Sequence, residues 1–468
     1  MPKIRINEHD MTGVIQKSPI SNIIYIPIPT DKAVPLTDKG KVVSICYSRK
    51  ELENRIGSHL VKKTELPSTG GTPSEGTTAK AAEGTTVKAE DVKESIELAK
   101  KSRVMYNIAT RLIDLGFPVL VEGVAATEKT ITVTVDKKTE TTKVKEVAIP
   151  TDSINLLKDK SLFDIRFLTS GIDVVNNANL IGVADERQDC VALINLDETA
   201  ATFNYKVATI RAGFVTKPSV YAAGFTPWFY SEHPTLIKGV EDLITVNDKP
   251  ATEEAEKVAI PAAYGYLFAY GRMLANNAAE WQAVAGPERG IIPELSDVCY
   301  TYSYEDVEIL QARAADELVE LDDATDNVGV AINPIAWVRP NGYILYGNRT
   351  LKTNDAKKKT TAQSFLNIRN GVNAIKKVMY DAGRTFVFEQ NTEVLWINFR
   401  NYITPLLDRM QSSDGLLGYT FVKVATDAKA RLKAKLTVIP VEAVEDFDLD
   451  VYLVDDLTVT EQTEQTEQ

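Results

Sequence analysis

The alternation of apolar and polar positions divides the chain into strand-length runs and helix-length faces, most regularly toward the C-terminus. Between Gly329 and Pro440, Val330-Ala331-Ile332 is a short apolar run ending at Asn333-Pro334. Tyr343-Ile344-Leu345-Tyr346 is a second, entered through Asn341-Gly342 and left through Gly347-Asn348; both predict strands. Phe365, Ile368, Val372, Ile375 and Met379 recur at spacings of three and four, one face of a helix, with Gly383 placed as its C-terminal glycine. Phe386-Val387-Phe388 predicts a third strand. Trp396, Phe399, Ile403, Leu406 and Met410 repeat the same spacing, and Thr404-Pro405 predicts a kink or restart of that helix. Residues 419–424, 431–439 and 447–454 predict closing strands.

Upstream, residues 22–26 predict a strand that Pro27-Ile28-Pro29 ends by removing donors. Residues 41–47 predict another, and Ser48 to Gly57 reads as a capped short helix. Residues 63–90 repeat Gly, Thr and Ser with little to bury, which predicts an exposed loop. A helix is expected over 91–115, with Val104, Ile108 and Leu112 on one face and Gly116 closing it. A strand at 117–122 and a hairpin from 130–135 and 143–149 follow. From residue 161 the pattern becomes β-α-β, with strands at 163–168, 191–196 and 220–230 and helices at 174–185, 260–276 and 305–321. The fold class is therefore α/β and α+β, multidomain. A central α/β middle domain (19–62 with 151–328) carries an exposed β-rich insertion with a low-complexity loop (63–150). A C-terminal α+β domain (329–455) lies between it and a disordered tail (456–468), and residues 1–18, with Ile4 and Ile6 alternating against Lys3 and Arg5, read as a frayed terminus holding at most one strand.

At 468 residues the chain is too long for one ordinary core, and its 44% apolar and 25% charged content is that of a soluble globular protein. No apolar run is long enough to span a membrane, and residues 1–14 have no secretory pattern, so assembly in the cytoplasm is expected. A net charge of −12 argues against nucleic-acid binding. Cys46, Cys190 and Cys299 sit in apolar strings and read as buried free thiols.

Catalytic signatures are missing. The sequence has no phosphate loop, dinucleotide fingerprint, nucleophile elbow or zinc-helix motif, and His9, His59 and His233 have no partner at ligand spacing. No enzyme activity, cofactor or metal is expected. Asp322, Asp323 and Asp326 lack the glycine and distal Glu of a calcium loop and read as a solvated turn. Thr169-Ser170-Gly171 reads as a strand-to-helix turn with no base in sight. Trp228, Trp281, Trp337 and Trp396 read as packing residues rather than a sugar-binding platform. The basic run Lys357-Lys358-Lys359 reads first as a solvated loop and second as a surface for an acidic partner.

A family resemblance rests on an ordered series of motifs. These are Asn333-Pro334, Gly342 leading to Gly347-Asn348-Arg349-Thr350-Leu351, Phe365-Leu366-Asn367-Ile368-Arg369, Phe388-Glu389-Gln390-Asn391 with Trp396, Gly415-Leu416-Leu417-Gly418, and Val438-Ile439-Pro440. In this order they resemble the C-terminal domain of contractile phage tail sheath proteins. Pro261-Ala262-Ala263-Tyr264-Gly265 through Gly286-Pro287-Glu288-Arg289-Gly290 resembles the family's middle domain. The resemblance implies a framework at Asn333, Pro334, Gly342, Gly347, Arg349, Thr350, Arg369, Trp396, Gly415, Gly418 and Pro440.

It also implies a subunit that forms hexameric rings stacked helically around an inner tail tube and contracts to drive the tube through the host envelope. Implied partners are further copies of the chain, the tube, baseplate and tail terminator proteins, in the virion tail, with no nucleic acid and no membrane insertion. Inter-subunit arm strands are expected at Lys3, Ile4, Arg5 and Ile6 and at Phe447, Leu449, Val451 and Leu453, with Lys357, Lys358 and Lys359 as a tube-facing loop. A headless injection machine is an alternative. A different virion protein and a hydrolase-like enzyme on residues 161–330 are the rivals, the enzyme lacking a nucleophile and base.

Overall fold

The computed structural model describes residues 22–38, 41–61, 79–80, 86–87, 89–125, 127–135, 138–172, 177–195, 218–240, 257–311, 330–352, 361–425 and 430–443. Its strands, in chain order, are β1 Ile23–Thr30, β2 Thr37–Asp38, β3 Lys41–Val42, β4 Ile45–Cys46, β5 Ala79–Lys80, β6 Thr86–Val87, β7 Val119–Ala125, β8 Thr127–Val135 and β9 Lys138–Glu146. There follow β10 Ile165–Thr169, β11 Val191–Asn195, β12 Ala222–Thr226, β13 Phe229–Ser231, β14 Val258–Ile260, β15 Asp297–Val298, β16 Asn333–Val338, β17 Gly342–Leu345, β18 Leu416–Val424 and β19 Lys433–Pro440. The helices are α1 Arg49–Ile56, α2 Ala89–Asp114, α3 Thr151–Lys158, α4 Asn177–Arg187, α5 Pro234–Ile237, α6 Ala262–Ala275, α7 Gly286–Arg289, α8 Tyr304–Gln311, α9 Leu366–Phe386 and α10 Glu393–Ser412. No described helix is long and apolar enough to cross a membrane.

Eight strands form one sheet in the order β17-β16-β12-β11-β10-β1-β7-β4. The strands from β16 to β7 run parallel, and β17 and β4 close the edges antiparallel. The period of two in side-chain direction splits its residues between two cores. Ile24, Ile26, Phe167, Leu193 and Phe225 enter one, under α2 and α6. Ile23, Tyr25, Ile165, Leu168 and Ala192 enter the other, under α3, α4 and α8. Both faces are covered, which is why these strands read as nearly continuous apolar runs. A third core joins Trp281, α9, α10 and the β18–β19 hairpin through Ile375, Val378, Trp396, Leu407 and Phe421.

The prolines of β1 do not end its ladder. β1 pairs with β7 from Ile24 through Thr30, whereas its pairing with β10 stops at Tyr25. Ile24 N donates to Pro118 O on the β7 side, so the alternation points Pro27 and Pro29 toward the side where β10 has ended. There the missing donors cost nothing, and Pro29 O accepts from Ser102 Oγ at 2.6 Å.

Two expected domain boundaries also move. α2 and β7, placed by the sequence in a surface insertion over 63–150, lie in the main core: β7 is flanked by β1 and β4, and Val104, Ile108 and Leu112 pack beneath it. Among the described strands of residues 63–150, β5–β6 and β8–β9 form two-stranded sheets apart from the eight-stranded one. β16 and β17, expected in the C-terminal domain, belong to the eight-stranded sheet.

Local expectations fare unevenly. Ser48 caps α1 by accepting from Glu51 N, and Gly116 ends α2 at φ 89°. β16 starts at Asn333-Pro334 rather than ending there, with proline tolerated at the strand start. Gly383 lies inside α9, which continues to Phe386, and 386–388 is not a strand. The reason is packing: the Phe386 ring meets Phe399 of α10 edge-on at 6.1 Å. Pro405 sits within one continuous α10. Cys46 and Cys190 are buried and Cys299 half-buried, none of them in a disulfide among the described residues, and burial pushes the thiols of Cys46 and Cys190 up to about 11. Asp322, Asp323 and Asp326 lie outside the described residues, as does His9.

Candidate assembly surface

The framework residues form a seam joining the eight-stranded sheet to α9 and the C-terminal hairpin, buried at Asn333, Pro334, Gly347, Arg349, Thr350, Arg369 and Trp396 and half-buried at Gly342, Gly415, Gly418 and Pro440. Asn333 is its first node. Its Nδ2 donates to Gly224 O and Arg349 O at 3.0 and 2.9 Å, and its Oδ1 accepts from Arg349 N at 2.7 Å. Gly347 is required beside it, because a Cβ there would lie 2.8 Å from Asn333 Cα. Pro334 O accepts from Tyr346 N at 2.9 Å, and Gly342 takes φ 81° in the turn between β16 and β17.

The second node ties the chain after β17 to α9. Thr350 N donates to Ser364 O at 2.8 Å and its Oγ1 to Gln363 O at 3.0 Å. The Arg349 guanidinium lies over the Phe365 ring at 4.6 Å and that of Arg369 over Tyr221 at 4.5 Å. Burial lowers the Arg369 pKa, opposed by Tyr221. Asn348 Nδ2 donates to Asn367 Oδ1 at 2.7 Å, Asn367 Nδ2 to Trp281 O at 3.2 Å, and Asn370 Nδ2 to Tyr266 OH at 2.9 Å. The sequence reading gives no role to the side chains of Asn367 and Asn370; the available signal was Asn at 367, 370 and 373, a spacing of three within one helix.

At the third node, Trp396 packs on Phe421 at 5.2 Å, and Gly415 faces the Trp281 indole. Pro440 pairs with Leu416 at the hairpin base, and Gly418 sits where the register shifts. These residues position; none of them carries chemistry.

The carboxyl ends of the parallel strands, where doubly wound enzymes bind ligands, are filled beside β10. Asn195 Nδ2 donates to Ser170 O at 3.3 Å, and Tyr264 OH to the same oxygen at 2.7 Å. Thr169 and Ser170 are buried, and Thr169 Oγ1 donates to Tyr25 O at 2.7 Å. Thr169-Ser170 is thus a hydrogen-bonded core corner. His233 caps α5, its Nδ1 accepting from Thr235 N at 3.2 Å. Among the described residues no three metal-ligating side chains cluster.

What the described surface does offer is an open hairpin. β18 and β19 pair with each other and with no other described strand, leaving an outer edge on each. Leu416 and Phe421 anchor the hairpin in the third core. Along β19 exposed Lys433, Lys435, Thr437 and Ile439 alternate with half-buried Ala434, Leu436, Val438 and Pro440. Leu417 and Val422 are exposed on β18. Such an edge is a template for another strand, moderated here by its lysines. The arm residues Lys3, Ile4, Arg5, Ile6, Phe447, Leu449, Val451 and Leu453, and Lys357, Lys358 and Lys359, lie outside the described residues.

Two exposed aromatic positions were read differently in the sequence. Trp337, expected to be packed, is 58% exposed and stacks edge-on with Tyr343 at 5.0 Å, whereas Trp228, Trp281 and Trp396 are buried. Phe388, expected in a strand, is fully exposed at the turn after α9.

No protein-family model matches the chain. A tail sheath protein of Vibrio phage KVP40 is 23% identical over 246 residues, 51% of this chain and 32% of that protein. The match thus spans about a third of the length of this curated relative. The contracted sheath complex of PVC, an extracellular contractile injection system, superposes with a TM-score of 0.53 at 13% identity over 98% of both chains. A chain of the contracted anti-feeding prophage baseplate gives 0.52 at 13% identity over 97% of this chain and 99% of that one. At these identities the structural likeness establishes the fold. Sequence and structure comparisons both lead to tail sheath proteins of phage and phage-like injection systems, the family that the motif series resembles.

Proposed function

We propose that this chain is the sheath subunit of a contractile tail. Copies polymerise as stacked hexameric rings around an inner tail tube, held by baseplate and terminator proteins at the two ends. Contraction of the polymer drives the tube through a host cell envelope for genome delivery, and the subunit is assembled in the host cytoplasm into the virion tail. The role is mechanical, not enzymatic.

The observation that carries this reading is the β18–β19 hairpin, anchored on one face and paired at neither outer edge with another described strand. Strands added to those edges by neighbouring copies link subunits through main-chain hydrogen bonds, with side-chain pockets setting register. The chain's own ends suit the task. Lys3 and Arg5 alternate with Ile4 and Ile6, whereas Asp448 and Asp450 alternate with Phe447, Leu449 and Val451. Opposed charges on adjacent strands contribute about 0.2–1 kcal/mol per pair, and the pattern favours a basic arm beside an acidic one. Contraction then repacks rigid subunits toward lower energy while the strand links hold, and Lys357, Lys358 and Lys359 face the tube.

Negative-stain microscopy of the purified chain tests this reading. Tubes or stacked rings are the expected result, and a small closed oligomer at every concentration would count against it. A second reading, the sheath of a headless injection machine, is favoured by the match to the PVC sheath over nearly the whole of both chains.

A further inference from the structure

The turn after α9 holds a bulky residue in an uncommon backbone conformation. Phe388 has φ 73°, the left-handed region that large side chains adopt only under constraint, and its ring is fully exposed. Val387 before it is exposed too, as are Val394 and Ile397, which share a face of α10. Glu389 follows directly and is exposed. The turn is an apolar knob with a carboxylate at its base.

A recess opens along the last turns of α9, starting four residues before Phe388 at Arg384. A cleft of about 440 Å³ between residues 160–164 and α9 is lined by Leu162, Met379 and Tyr380, with Lys160, Lys376 and Arg384 around them. That volume is within the range of ligand-holding clefts, about 300–1,000 Å³. Asp164 and Asp189 also line it but are paired with Lys377 and Arg187. Lys376 donates to Gln188 O and Tyr221 OH, both at 2.9 Å, and Arg384 lies over the Tyr380 ring at 5.9 Å. Among the described residues, none of Lys160, Lys376 and Arg384 is in a salt bridge. With Asp381 as the one remaining carboxylate on the lining, the cleft is cationic with an apolar floor.

We propose that the Phe388 turn of one copy seats in this cleft of a second copy, with Phe388 on Leu162, Met379 and Tyr380 and Glu389 against Lys160 and Arg384. The knob does not fill its own recess: Phe388 stands four residues beyond Arg384, past the end of α9 at Phe386, and is fully exposed. The contact closes a two-fold pair where both copies exchange knobs and propagates head-to-tail where only one knob is seated. This names a subunit contact separate from the strand arms. It rests on the sheath reading only for the size of the assembly it serves.

The test uses full-length chains. Glu389→Arg and Arg384→Glu, each alone, should weaken self-association about tenfold or more, the scale of an interfacial anchor, with thermal unfolding unchanged. Mixing the two variants should restore association, because each supplies the other's complement. Independently, a Phe388→Cys copy and an isotope-labelled Tyr380→Cys copy should form a mixed disulfide on mild oxidation. Tubes that form without that disulfide, or single variants that associate like the parent, overturn the plug and leave the sheath reading standing. A disulfide with only small oligomers supports the plug and counts against the sheath reading.

Discussion

Trp281 and Gly415 touch so closely that a Cβ on Gly415 would fall 2.4 Å from the indole Cδ1. Trp281 lies after α6, yet its ring belongs to the core of the C-terminal unit, under the Arg409 guanidinium and bonded through Nε1 to Ser413 O at 3.4 Å. Its carbonyl accepts from Asn367 at the same seam. One residue therefore locks the α/β body to the unit that carries the open hairpin.

Gly415→Ala should destabilise the chain by about 1–3 kcal/mol, the usual cost of forcing atoms into a packed site. Gly418→Ala, with nothing within 4 Å of the added atom, should change stability far less. Denaturant unfolding of the two variants side by side decides this, and equal midpoints would show that the Trp281 contact relaxes freely.

Asn333→Ala removes three buried hydrogen bonds linking β16, β12 and the Arg349 segment. At about 1 kcal/mol each, plus the penalty for groups left unpaired, a loss of about 3 kcal/mol or more is expected in urea unfolding. A loss below about 1 kcal/mol would contradict its role as a node.

Glu122 gives a pH signature. Its carboxyl is buried on β7 and accepts from Tyr25 OH at 2.6 Å and from Ser153 Oγ. Burial raises its pKa above the ordinary carboxylate value, only partly offset by those two hydrogen bonds. A group with a raised folded pKa binds its proton more tightly when folded. Its charged form therefore penalises the fold fully above the raised value, and the penalty disappears as pH falls below the ordinary value. The stability difference between wild type and Glu122→Gln should accordingly change across the weakly acidic range and level off on either side. A difference that stays flat with pH would show that Glu122 does not titrate differently on folding.

Replacing residues 66–88 with a short Gly-Ser linker should leave folding and assembly intact. β5 and β6, the described strands within it, pair only with each other. Circular dichroism and microscopy of this variant check the expectation, and a folded protein that no longer polymerises would assign the loop to an interface.

Much of this architecture was legible because helical and strand periods are strong where one face is buried: α2, α6, α10 and β8–β9 lie close to where the pattern put them. The errors arise where tertiary contacts override a local signal. Pro27 and Pro29 look like a strand end, but only the neighbouring strands show that their missing donors face the side where pairing with β10 has stopped. Gly383 looks like a helix end, but Phe386 gains more by continuing the helix onto Phe399. The insertion boundary failed because nothing local distinguishes a strand beside β1 from one in a surface hairpin. Of the candidate site, the motif series itself was legible in the sequence, its part in assembly being a proposal. The Phe388 turn was not, since exposure leaves no periodic trace.

Deleting residues 1–18 tests the central claim most directly. The segment has strand-like alternation at Lys3-Ile4-Arg5-Ile6 but few apolar residues for a core of its own. Added to a neighbour's hairpin it contributes a few hydrogen bonds at about 1 kcal/mol each, weak singly and decisive when repeated along a polymer. Sedimentation and thermal unfolding of the full-length and shortened chains should show lost polymerisation with an unchanged monomer melting temperature. Normal tubes from the shortened chain, or a large drop in its melting temperature, would contradict the account.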